Sequence, residues 1–125
     1  MITNIDIIGI GGYEIDEPTR KYIHKRIGRL SRFAPRHSRK SMRATVKVEQ
    51  VNRDKGNKYQ VDVLIVVPDR QIAASDSTLN VLAAVDIVEV KLANQLRKYK
   101  EDTVPHVGRR HLLARFKRSY GREKE

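Results

Sequence analysis

Residues 42–67 read MRATVKVEQVNRDKGNKYQVDVLIVV. Met42, Ala44, Val46 and Val48 alternate with Arg43, Thr45, Lys47 and Glu49. A period of two sends successive side chains to opposite faces, so this run predicts a strand with one buried and one wet face. Residues 52–57, with Asp54, Lys55 and Gly56, predict a hairpin loop. Tyr59 to Val67 predicts the returning strand, antiparallel to the first. Its near-continuous apolar run (Val61, Val63, Leu64, Ile65, Val66, Val67) suits a central place in a sheet.

Working outward, Ile2 to Ile10 is Ile-rich and fits a strand ended by Gly11-Gly12. Asp16 followed by Glu17-Pro18 predicts a helix start, with a capping carboxylate and a proline in the first turn. The helix is expected to run to about Phe33, with Ile23, Ile27 and Leu30 at i, i+4 and i+7 on its buried face. Pro35 stops it, and Pro35 to Ser41 reads as a basic loop. On the other side of the hairpin, Pro68-Asp69 turns the chain and Gln71 to Ser75 predicts a short fourth strand. Thr78 to roughly Lys100 predicts a long second helix, with Asp76, Ser77 or Thr78 as its cap and Val81, Val85, Val88, Leu92, Leu96 and Tyr99 as its core stripe.

The expected order is β-α-β-β-β-α, an α+β domain in which two helices cover one face of a four-stranded mixed sheet. The first crossover should be right-handed and make strand two parallel to strand one. Residues 1–102 form the expected domain. Residues 103–125 carry Pro105, Gly108 and Gly121 and read as a basic, flexible extension.

Charge is the strongest bulk signal. Lys and Arg number 26 against 15 Asp and Glu, a net charge of +11. Residues 1–40 hold nine cations and four acids, residues 41–102 ten and nine, residues 103–125 seven and two. A chain so charged seeks a polyanion, nucleic acid before an anionic membrane. With 39% hydrophobic residues a modest core is available, and no cysteine is present, which rules out disulfides and thiolate metal sites. No signal peptide and no run of roughly 20 apolar residues is seen, so the expected compartment is the cytosol.

Chemistry-bearing motifs are weak. Gly9, Gly11 and Gly12 begin a dinucleotide pattern, but Glu14 occupies the third glycine position, so a turn is favoured. His24, His37, His106 and His111 lack metal-ligand spacing. Asp86 and Glu89, beside Lys91, read as surface pairing within a helix. No catalytic residue, cofactor or metal site is assigned, and neither an enzyme nor a small-molecule substrate is expected.

The basic faces say more. A helical wheel groups Lys21, Lys25, Arg29 and Arg32 opposite the Ile23/Ile27/Leu30 stripe. On the second helix Lys91, Arg97 and Lys98 flank the outer side, with Lys100 nearer the core edge. A merely solvated face mixes signs, whereas no acid occurs between Lys21 and Lys40. Polyanion binding is favoured, through phosphate contacts that supply affinity but no sequence code.

The run Glu14-Ile15-Asp16-Glu17-Pro18-Thr19-Arg20-Lys21-Tyr22-Ile23 with Arg29-Leu30, then Val46-Lys47-Val48-Glu49, Ala74-Ser75, Ala83-Ala84-Val85-Asp86 and Lys91-Leu92-Ala93-Asn94-Gln95-Leu96-Arg97-Lys98-Tyr99-Lys100, resembles the ribosome hibernation-promoting factor and ribosome-associated inhibitor family, also called sigma-54 modulation or protein Y proteins. The resemblance covers Ile2 to Lys100. It implies a double-stranded-RNA-binding-like fold, and docking on small-subunit ribosomal RNA in the channel used by mRNA and tRNA, with translation blocked. Carried over residue by residue, it implies RNA contacts at Lys25, Arg29, Lys91, Lys98 and Lys100, with Arg97 as an added cation.

The chain departs from the pattern at Asn80-Val81-Leu82, where Asp-Met-Tyr is common, and at Asn94, where Arg is common. It resembles the family's short forms, but with a basic rather than an acidic tail, and is expected to be a monomer. Ala83, Ile87 and Val90 fall on the outside of the second helix. Either they touch the first helix or are scattered apolar surface, or they form a contact patch for Leu112, Leu113 and Phe116 or for a second copy. The alternative function is a general structured-RNA or DNA-binding module acting off the ribosome.

Overall fold

The structure is a computed structural model that describes residues 1–52 and 57–103. The hairpin residues Asp54, Lys55 and Gly56, and the extension with His106, His111, Leu112, Leu113 and Phe116, lie outside the described residues. The elements are β1 (Asn4–Ile10), α1 (Glu17–Gly28), a 3-10 segment (Arg29–Phe33), α2 (Arg36–Arg39), β2 (Arg43–Asn52), β3 (Asn57–Val67), β4 (Arg70–Thr78) and α3 (Val81–Thr103). The sheet order is β1-β2-β3-β4, with β1 parallel to β2 and the other two pairs antiparallel. This is the expected α+β architecture.

The pleat explains why one face is dry. Ile7, Val46, Val63 and Ala74 lie in one row across the sheet, and Ile5, Ala44, Ile65 and Ile72 in the next. These side chains join Ile23, Ile27 and Leu30 of the first helical unit and Val85, Val88, Leu92 and Leu96 of α3 in a single core. Each such aliphatic side chain contributes about 1.5–3 kcal/mol when fully buried. The intervening rows, Asp6-Thr45-Leu64-Ala73 and Ile8-Lys47-Asp62-Ser75, form the uncovered face.

Caps and turns follow their local chemistry. Asp16 accepts the Thr19 N–H at 2.9 Å, as its position before Glu17-Pro18 predicts. Gly11 and Gly12 have φ of 65° and 81° and close the turn after β1, the conformation glycine tolerates best.

Four boundaries differ from expectation. The α-helix ends at Gly28, whose carbonyl accepts the Ile2 N–H at 2.9 Å, and a 3-10 segment continues to Phe33. The expected loop at Pro35–Ser41 contains a helical turn in which Ser38 is buried against the Tyr99 hydroxyl. The fourth strand extends to Thr78 because β3 offers it pairing partners as far as Tyr59. Asp76, Ser77 and Thr78 are therefore strand residues, and Asn80 caps α3 by accepting the Leu82 N–H at 2.8 Å.

Side chains from the helices reach both outer strands of the sheet. Arg20 donates to the Ile7 carbonyl of β1, and Lys91 and Gln95 of α3 donate to the Ser75 and Ala73 carbonyls of β4. Occupied edge groups discourage strand addition from another chain.

Gly9 carries a steric prediction. A Cβ there would lie 1.9 Å from the Tyr13 carbonyl oxygen. Gly9→Ala should destabilise the domain by about 2 kcal/mol or more, because backbone rather than a flexible side chain must yield. Urea unfolding checks this, and an unchanged midpoint would refute it.

Candidate nucleic-acid interface

The buried stripe of α1 fixes where its polar side chains go. With Ile23 and Ile27 facing the core, Lys21 and Lys25 stand exposed on the outside while Tyr22 and Arg26 turn toward α3. The corresponding flank of α3 presents Asp86 and Glu89. Arg29 donates from Nε to Glu89 Oε2 at 2.7 Å and from Nη2 to Oε1 at 3.2 Å. Arg26 adds an Nη1 bond to Glu89 Oε1 at 3.3 Å and lies 3.6 Å from Asp86. The Tyr22 hydroxyl donates to Asp86.

This overturns the reading of Asp86 and Glu89 as partners within their own helix. Lys91 is only two residues from Glu89 and so points elsewhere on α3. Its Nζ donates to Ser75 at 3.0 Å and lies 3.5 Å from Asp76. Glu89 is 8% exposed, and a buried carboxylate is tolerated because guanidinium donors replace its water. Its hydrogen bond is the main cause holding the Arg29 guanidinium above its ordinary value. The Tyr22 hydroxyl is likewise raised, first by its hydrogen bond to Asp86.

At this cross-link the two helical units form a groove of about 270 Å³, lined by Arg26, Arg29, Arg32, Phe33, Glu89 and Arg97 together with Val90, Ala93 and Asn94. The guanidinium carbons of Arg32 and Arg97 lie 4.7 and 4.6 Å from the Phe33 ring centre. Cation–π attraction of this kind holds long side chains over a ring.

The structure thus gathers Arg29, Arg32 and Arg97 in one groove. Lys21, Lys25, Lys98 and Lys100 are exposed on the helices. Lys91 stands apart at the β4 edge. Arg26, Tyr22 and Phe33 escaped the sequence reading, and the acidic flank of α3 was the signal that α1 needed cations opposite it. Ala83 is exposed, Ile87 is 40% and Val90 61% exposed, so neither large side chain of this trio is buried against α1. Among the described residues no group of three or more His, Asp or Glu could hold a metal ion. No helix among them is long and apolar enough to cross a membrane.

A parallel crossover, a hairpin pair and two helical units on one face, with cations along the helices, form a recognisable frame, and residues 5–103 match the sigma 54 modulation protein / S30EA ribosomal protein family. The chain belongs to this family. A curated relative, the ribosome hibernation promotion factor of Deinococcus radiodurans, is 32% identical over 87 residues, which are 70% of this chain and 44% of that protein. The chain therefore spans less than half the length of that relative. The Thermus thermophilus protein Y N-terminal domain superposes with a TM-score of 0.65 at 23% identity, covering 77% of this chain and 98% of that one. A ribosomal subunit interface protein from Coxiella burnetii gives 0.63 at 26% identity, covering 78% and 98%. In this sigma 54 modulation / S30EA member, the groove cross-link is built from Arg26, Arg29 and Glu89.

The cross-link has a pH signature. Tyr22 should lose its proton above the ordinary tyrosine value of 10.0. A raised folded value means that its stabilisation is complete below the unfolded value and is lost as pH rises through the folded one. NMR titration of ring-labelled tyrosines checks this. Asp86→Asn should move Tyr22 back toward 10.0, and a Tyr22 that titrates like a free tyrosine in the native protein would refute the assignment.

Proposed function

We propose that this protein is a ribosome-stasis factor of the hibernation type. It docks on small-subunit ribosomal RNA in the channel used by mRNA and tRNA, and its body excludes them and silences translation. The observation that carries this reading is the sorting of charge on the helical face. Asp86 and Glu89 are taken up by Tyr22, Arg26 and Arg29, and among the described residues Lys21, Lys25, Arg32 and Lys98 pair with no carboxylate. Cations set on a rigid helical frame suit phosphates at fixed spacing. The family and the name of the Deinococcus radiodurans relative support the ribosome as the source of those phosphates.

No bond is made or broken in this mechanism. Association is driven by counterion release and by shape, in the cytoplasm, with a single copy of the chain and no membrane, cofactor or small-molecule substrate. Lys21, Lys25, Arg32, Arg97, Lys98 and Lys100 face the RNA. Arg29 acts from within the groove, and Lys91 acts from the β4 edge.

Replacing Lys25 and Lys98 with Glu should leave the fold intact, since both side chains are exposed. Ribosome affinity should fall by well over about tenfold at physiological salt, and the slope of log affinity against log salt should become shallower by about 0.7–0.9 for each phosphate no longer neutralised. Ribosome binding with unchanged affinity and slope would remove these helices as the docking face.

A further inference from the structure

We propose that the groove between the 3-10 segment and α3 is a preformed seat for one RNA phosphodiester, and that Glu89 is the residue that positions its arginines. This deepens the ribosomal reading and rests on it for the RNA, but the seat is testable on the protein alone. Four guanidiniums, from Arg26, Arg29, Arg32 and Arg97, line a space of about 270 Å³. Left alone, four such groups would repel and spread. Two devices hold them. The Glu89 carboxylate takes one bond from Arg26 and two from Arg29. The Phe33 ring holds Arg32 and Arg97 within 4.7 Å of its centre, and Arg97 is further steadied by Asn94 Oδ1 at 3.2 Å.

Neither device exhausts the donors. A guanidinium has five N–H groups, and Glu89 occupies two of those on Arg29 and one on Arg26. The remaining donors belong to side chains already ordered, so an anion entering the groove finds a planar, forked donor set without first arranging it. Planar forks match the oxygens of a phosphodiester two at a time. A carboxylate inside an anion site therefore has a purpose opposite to its charge: it aligns more positive charge than it cancels. Arg97, which makes no contact with Glu89, closes the seat from the α3 side.

The probes are inorganic phosphate and a short oligouridylate, titrated into the full chain at low salt while the arginine Nε–H resonances are followed by NMR. Arg26, Arg29, Arg32 and Arg97 should shift together and saturably. Glu89→Gln raises the net charge by one, so plain electrostatics predicts tighter binding; the seat predicts oligouridylate binding weaker by about tenfold. Arg97→Ala, exposed and outside the Glu89 cross-link, should weaken it comparably with the native amide spectrum retained. The two changes together should cost less than the sum of each alone, because both spoil one seat, whereas a role for Glu89 in folding only would leave them additive. Equal or tighter binding by Glu89→Gln, additive losses, or shifts confined to other residues would overturn the proposal. Filling of the groove by oligouridylate without co-sedimentation with ribosomes would uphold the seat and defeat the ribosomal reading.

Discussion

Where α1 and α3 meet, one carboxylate decides how the helices stand. Glu89 is almost wholly buried and accepts three N–H donations from Arg26 and Arg29. Removing either partner would leave a charge without its compensation, which is why such pairs tie elements to a defined geometry even where their net contribution to stability is small. The apolar contacts of Ile23, Ile27, Val88 and Leu92 in the core are non-directional, whereas the Glu89 cross-link adds directional bonds between the helices. The groove that Glu89 lines with Arg26 and Arg29, and the approach of Arg97 to Phe33 across it, lie at this junction.

The same arrangement separates the two faces of the molecule. One face of the sheet is consumed by the core. The other is uncovered and mixed in sign, with Lys47 beside Asp62 and with Thr45, Leu64 and Ser75 around a shallow depression of about 470 Å³. Arg20, Lys91 and Gln95 each bond a carbonyl of an outer strand. The helical face offers a polyanion more, since Asp86 and Glu89 there are already taken up by arginine and tyrosine. The apolar trio Ala83, Ile87 and Val90 adjoins this face on the outside of α3.

Much of the fold was legible because it depends on patterns inside single elements. The alternation at 42–49, the Asp16 cap before Glu17-Pro18 and the Val81–Tyr99 stripe each express a local rule, and each is found where it was expected. The misreadings arose where a distant partner intervenes. Gly28 ends its helix because Ile2, at the other end of the domain's first unit, needs its carbonyl. β4 runs on to Thr78 because β3 is long. The site was less legible for the same reason. A wheel drawn for the expected first helix alone places Arg29 among solvent-facing cations, and one for the second alone leaves Glu89 beside Lys91. Only the packing of two helices some 60 residues apart in sequence joins Arg29 to Glu89, draws in Arg26, and sends Lys91 to the sheet edge.

The central claim is that a helical face of sorted charge recognises ribosomal RNA in its assembled form. Its most direct test is sedimentation of the full chain with intact ribosomes, separated subunits and free duplex RNA at physiological salt. The account predicts co-migration with intact ribosomes and with the small subunit, released at high salt. Migration with free duplex RNA and absence from every ribosomal peak would contradict it, and would mark the protein as a structured-RNA binder that works away from the ribosome.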